Sequence, residues 1–209
     1  MTSETSEIWY AAYGSNLDPR RLACYLQGGT PPGGSRATPG ARDPRPPRAA
    51  RAVSLPGDVY FAWNSSTWGG GVAFLDPVAA GTSPGCAYLL THEQFSDVVA
   101  QEMHRPPGVD LDLGVLGGQR SWAFGDGRYE TMHVLDAIDG VPVVTFTAPT
   151  TAPLDYLAPS GSYLTVMGVG LMGSHGWDAG EVASYLMGCR GIGGGWTVES
   201  ISALLAGRR

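Results

Sequence analysis

The chain has 209 residues, 43% of them hydrophobic and 15% charged, with a net charge of −6. All 13 basic residues are arginine, which excludes lysine Schiff bases, the P-loop lysine and the kinase lysine; the acidic balance argues against a nucleic-acid binder with a broad basic face. No apolar run reaches the roughly 18–20 residues of a membrane span, and 31 glycines with 16 prolines favour turns and short strands. The acidic, polar Met1–Glu7 is unlike a signal peptide. Three widely spaced cysteines, Cys24, Cys86 and Cys189, suit reduced thiols in a cytoplasm better than a disulfide framework or a zinc site.

In chain order, Ile8–Ala12 reads as a first strand and Tyr13–Leu17 as a tight turn. Asp18 caps a helix with Pro19 at its first position; Leu22, Tyr25 and Leu26 form its apolar stripe, and Gly28-Gly29 ends it. A Pro/Gly/Arg-rich excursion follows at 28–51, carrying Arg36, Arg42, Arg45, Arg48 and Arg51. It reads as a long solvated loop, with an anion-attracting arm as the alternative. Strands are expected at Val59–Asn64, Val72–Asp76 and Cys86–Leu90. Thr91-His-Glu-Gln94 is a capping box that starts a helix. Beyond it, Tyr129–Leu135 and Val141–Thr147 flank an Asp139-Gly140 hairpin turn. A Pro-rich loop, Ala148–Ser160, leads to an expected strand at Tyr163–Met167. Two helices close the chain, one from Asp178 to Met187 and one over Val198–Leu205. This is a single α+β domain, 1–209.

Three apparent motifs carry no chemistry. Gly168-Val-Gly170-Leu-Met-Gly173 matches a dinucleotide fingerprint, but too little chain follows for the rest of a doubly wound sheet, so it reads as a glycine-rich loop. Gly81-Thr-Ser83-Pro-Gly85 has the spacing of a nucleophile elbow, yet Pro84 lacks the N–H that an oxyanion hole needs. The histidines (His92, His104, His133, His175) show no metal-binding spacing.

One position stands out. Phe95, Val98 and Val99 mark the inward stripe of the helix after Thr91, and Glu102 projects from the same face, with Glu93 and Asp97 opposite. A carboxylate ending an apolar stripe needs a partner, because a buried charge is costly. Low polarity and the last turn of a helix both favour the protonated form of a carboxyl, which suits such a group to base catalysis near neutral pH.

Tyr13-Gly-Ser-Asn-Leu17 directly after a hydrophobic strand, together with that inward Glu102, resembles the γ-glutamylcyclotransferase-like family. Phe61-Ala-Trp-Asn-Ser65 with Trp68-Gly-Gly-Gly-Val72, Gly85-Cys-Ala-Tyr-Leu-Leu90 and Ser162-Tyr-Leu-Thr-Val-Met-Gly168 are similar to three further blocks of the family, in order. Departures fall at Met103, where the family often has Gly, at Val109, and at Phe146, where it has a tyrosine. The resemblance implies a small mixed-sheet β-barrel flanked by short helices. It also implies a cofactor-free, metal-free lyase or acyltransferase that cleaves a γ-glutamyl amide by internal cyclisation and releases 5-oxoproline. Glu102 would be the catalytic base; Tyr13, Gly14, Ser15, Asn16, Leu17 and Tyr163 would bind the small-molecule γ-glutamyl substrate. No nucleic acid or membrane partner is implied, and the oligomeric state, a homodimer included, stays open. Two alternatives remain at this level: a relative acting on another acyl amide in a tailoring pathway, and a non-catalytic small-molecule-binding module.

Overall fold

The structure, a computed structural model, describes residues 7–114, 119–149 and 154–208. Strand β1 (Glu7–Ala12) is buried along nearly all its length and lies inside a six-stranded sheet. On one side it pairs antiparallel with β5 (Thr82–Thr91), and β5 in turn pairs with the edge strand β2 (Ala50–Pro56). On its other side it runs parallel to β8 (Val141–Thr147), Tyr10 standing opposite Val144. Strands β7 (Thr131–Ile138) and β6 (Ser121–Ala123) extend the sheet antiparallel beyond β8. Asp139 and Gly140, both at positive φ, turn the chain between β7 and β8, as a two-residue hairpin requires.

A separate hairpin of β3 (Asp58–Ser65) and β4 (Gly70–Asp76) covers one end of this sheet, tied to it where Leu75 N–H donates to Thr147 Oγ1 at 3.0 Å. The sheets do not close into a ring among the described residues, so the expected barrel is corrected to an open mixed sheet with a hairpin against it. Closure fails at the edges: β2 and β6 each pair on one side only.

Helix α1 (Pro19–Gln27) begins where expected, Asp18 accepting from Arg20 N–H, and stops at Gly28 with φ of 82°. Helix α2 (His92–Glu102) carries the full reciprocal capping box of Thr91 and Gln94. Its 11 residues span about 16 Å at 1.5 Å per residue. Phe95, Val98 and Val99 are buried, as the stripe demands.

The face opposite is not solvated. The 28–51 excursion folds over it: Arg42 N–H and Nε both donate to Asp97, which is 0% exposed, and Gln94 Nε2 donates to the Arg45 carbonyl. Arg42, Arg48 and Arg51 reach carboxylates outside the excursion, so for those three the solvated loop and the anion-attracting arm give way to a docked strap, whereas Arg45 pairs within the excursion, with Asp43, and stays solvated.

The expected strand at Tyr163–Met167 is helical instead, inside α3 (Gly161–His175), and the glycine-rich loop is the middle of the same helix. Ser160 caps it by accepting from Tyr163 N–H. The helix is apolar on most sides because α4 (Ala179–Gly188), α5 (Val198–Leu205) and the Tyr13–Leu17 turn surround it. Its glycines permit that crowding: a Cβ on Gly168 would strike Leu205, and one on Gly170 would strike the backbone of Leu17. Residues 150–153 of the expected Pro-rich loop, and residues 1–6 of the acidic N-terminus, lie outside the described residues. No described helix is long and apolar enough to cross a membrane.

Candidate functional site

Beyond β1 the chain makes one 3-10 turn, Ser15–Leu17, before α1. Glu102, the last residue of α2, arrives beside it. Asn16 Nδ2 donates to Glu102 Oε1 at 2.9 Å and to Tyr10 Oη at 3.0 Å. Asn16 is 3% exposed, and its Oδ1 has no partner. Its role is thus partly internal: it fixes the carboxylate and leaves one acceptor free.

A small cavity of about 30 Å3 lies against this pair, with Gly14, Ser15, Tyr129 and Tyr163 in its walls. A second, of about 40 Å3, shares Ser15, Glu102, Tyr129 and Tyr163 with the first and continues past Arg21, Trp63 and His104. Glu102 therefore stands between two chambers, each with room for about two or three waters at roughly 10–15 Å3 apiece. A far larger cavity among the described residues, about 870 Å3 between α1, α3, α4 and α5, shares no wall residue with either, and its lining holds no cluster of titratable groups beyond scattered Asp and Arg side chains. Size alone does not mark the chemistry here.

Tyr163 Oη accepts from Ala73 N–H at 3.0 Å, which leaves its own proton free to donate. The ring is held edge-on by Trp68 and Phe61. Gly14 stands opposite it, and a Cβ there would come to 3.0 Å from Tyr163 Oη, so the hydroxyl would have to give way by a few tenths of an ångström. Tyr13 Oη donates to the Phe146 carbonyl and Tyr129 Oη to the Ala73 carbonyl, both at 2.8 Å. Phe146 stacks flat on Tyr10, with ring centres 5.1 Å apart. Burial, reinforced by the charge of Glu102, pushes the Tyr10 and Tyr25 hydroxyls well above their ordinary range; burial dominates at Tyr163 and Tyr129 as well. All four are proton donors or spectators at neutral pH, not bases.

Of the residues expected from the sequence, Tyr13, Gly14, Ser15, Asn16, Glu102 and Tyr163 meet in one place. Leu17 does not: it lines neither chamber, its carbonyl accepts from Tyr88 Oη, and its side chain is buried. Sequence reasoning missed Tyr10, Tyr25, Tyr129, Arg21 and Arg128. Arg21 left a signal, because it lies four residues before Tyr25, within the inward stripe of α1, where a charge is as anomalous as Glu102 is on α2. Among the described residues no group of three or more His, Cys, Asp and Glu side chains is placed to hold a metal ion.

No family model matches the chain. Over 100 residues it is 40% identical to histone deacetylase 5 of Arabidopsis thaliana; the match takes in 46% of this chain and 15% of that protein. The chain thus spans only a minor part of the length of that curated relative. Among solved structures, a gamma-glutamyl cyclotransferase superposes with a TM-score of 0.54 at 14% identity, covering 96% of this chain and 98% of the other. The crystal structure of an uncharacterized Homo sapiens protein superposes with a TM-score of 0.53 at 15% identity, with the same coverage. The fold is the one these two structures share.

Proposed function

We propose that the protein cleaves a γ-glutamyl amide by internal cyclisation. The α-amine of the glutamyl unit attacks its own γ-carbonyl, the bond to the leaving nitrogen breaks, and 5-oxoproline and an amine or amino acid depart. The substrate supplies the nucleophile, so the protein needs a base, oxyanion donors and a folded-back binding mode. Glu102 takes a proton from the attacking ammonium and returns one to the leaving nitrogen. Tyr163, whose hydroxyl proton is uncommitted, and the Gly14–Ser15 main chain face the position of the developing oxyanion. The unpartnered Asn16 Oδ1 is available to the substrate ammonium.

The observation that carries this reading is the Asn16–Glu102 contact at the junction of two chambers, because a cyclising amide needs one group on each side of its base. The fold shared with a gamma-glutamyl cyclotransferase supports it. Both chambers are smaller than a glutamyl group, so admission requires rim side chains such as Arg128 and His104 to move. Mass spectrometry for 5-oxoproline, run on a panel of γ-glutamyl peptides and amines, tests the proposal. The wild-type chain releases it from at least one compound and Glu102→Gln releases none; equal release by both proteins would discard Glu102 as the base.

A further inference from the structure

The second chamber shares Arg21, Tyr25, Thr67 and His104 with a third cavity of about 170 Å3, whose far side is formed by Arg36 and Arg105. This trough is cationic in a chain whose net charge is −6. Glu102, at its inner end, is the only carboxylate lining either chamber. Seven arginines elsewhere or at its rim are in ion pairs, Arg105 with Glu130 among them. Arg21, Arg36 and Arg128 have no carboxylate partner among the described residues; nor do Arg120 and Arg208, which line neither cavity.

Arg21 is the most telling of the three. It is 5% exposed; Nη2 donates to Tyr25 Oη, while Nε and Nη1 have no partner. The guanidinium also lies over the Tyr25 ring, 3.9 Å from its centre, but a buried cation in that state is costly unless an anion meets it. Arg128 lies over the Trp63 ring with its Nε also unpartnered, and its Nη2 reaches His104. Partial burial and then the charges of Arg36, Arg128 and Arg21 push the His104 imidazole below its ordinary range, which reports the convergence of those three groups. Trp63 and His104 each hold positive φ, so both walls of this chamber are kept in a conformation that side chains disfavour.

We propose that this trough seats the leaving half of the substrate and selects a leaving amine with two negative charges, an acidic amino acid or the acidic end of a peptide. Arg21 meets the charge nearer Glu102 and Arg36 the distal one. The assignment rests on the cyclisation reading for what is cleaved, but the anion seat itself can be measured without turnover.

γ-Glutamyl-glutamate and γ-glutamyl-glutamine have the same shape and differ by one charge. Their dissociation constants for the full-length Glu102→Gln protein are compared by calorimetry. The acidic peptide binds about tenfold tighter or more, a difference of one decade in Kd, and the ratio shrinks as salt is raised. Adding Arg36→Gln, an exposed change that spares the core, brings the ratio to within about twofold. Equal affinities in the parent, a ratio that survives Arg36→Gln, or no binding of either peptide overturns the proposal. Arg21→Gln weakens both peptides alike; a loss confined to one of them overturns the order assigned to the two arginines. Assays of 5-oxoproline on the wild-type chain separate the two claims. Release from both peptides at equal kcat/KM sinks the acidic selectivity and leaves cyclisation standing. Selective binding without any 5-oxoproline does the reverse.

Discussion

Asn16 Nδ2 lies 2.9 Å from Glu102 Oε1 although the two residues are 86 positions apart in sequence. The contact ties the exit of β1 to the end of α2 and sets where the carboxylate points. Asn16→Ala removes this donor and the one to Tyr10. Turnover should fall by about 10²-fold, the scale of a misplaced catalytic group, with KM changed far less than kcat. Steady-state kinetics on any compound that yields 5-oxoproline checks this, and a change in KM alone contradicts it.

Tyr163 has two jobs that one substitution separates. Tyr163→Phe leaves the Ala73 N–H buried without an acceptor, a penalty of about 1–3 kcal/mol, which lowers Tm by roughly 2–4 °C per kcal/mol in a chain of this size. If its free proton also meets the oxyanion, kcat drops by about 10²–10³-fold as well. A lowered Tm with undiminished kcat would restrict Tyr163 to holding β4.

The glycines of α3 differ in what surrounds them. Gly170 presses on the Leu17 backbone, whereas Gly173 is exposed with open space around its Cα. Gly170→Ala should destabilise by about 1–3 kcal/mol through overpacking and displace the turn. Gly173→Ala should stabilise by up to about 1 kcal/mol through helix propensity. Urea unfolding of the two variants gives opposite signs, and matching signs would refute the packing argument.

Asp97 anchors two segments over α2, accepting from Arg42 and from Gly108 N–H at 2.9 Å. Asp97→Ala costs about 2–3 kcal/mol, as expected for hydrogen bonds to a charged group. Limited proteolysis of the variant should cut first within 28–51 or 104–110. Cleavage pattern and rate equal to wild type would show that the strap is held by other contacts.

Burial alone lowers the His133 imidazole below its ordinary 6.5. Its Nε2 has no partner. The unfolded chain therefore binds this proton at higher pH than the native one, so stability is complete above about pH 6.5 and declines as pH falls through the depressed native value. His104, shifted in the same direction, adds to the slope. Tm measured from pH 8 to pH 5 should fall, and His133→Gln should flatten part of that fall; an unchanged slope excludes His133 as a source.

Local chemistry made several elements legible from sequence. The Asp18-Pro19 start of α1, the Thr91 capping box of α2, the Asp139-Gly140 turn and the Val198–Leu205 helix all lie where their residues direct. Glu102 was legible because it broke an apolar stripe, and its partner loop because the family resemblance pointed to it. Tertiary packing hid the rest. The short apolar stretch Tyr163–Met167, with Thr165 and Val166 at its centre, suggests a strand, but Gly168 and Gly170 let neighbouring elements close on it as a helix. Strand β2 escaped notice because it is an edge with an almost wholly exposed sequence, which carries no alternation of apolar and polar residues. The docking of the arginine strap depended on carboxylates far off in sequence, Glu7, Asp97 and Asp139, which no local pattern records.

The parallel register of β1 with β8 has a consequence for biosynthesis. The Tyr13–Leu17 turn leaves the ribosome well before the partners of its flanking strand at 82–91 and 141–147, and before α3, which packs on Leu17. Loop-closure entropy has to be met before such distant pairings reward the chain. A nascent polypeptide halted before residue 161 should thus carry every residue of the turn and Glu102 without the helix that packs on Leu17, and their assembly should wait for the last quarter of the chain.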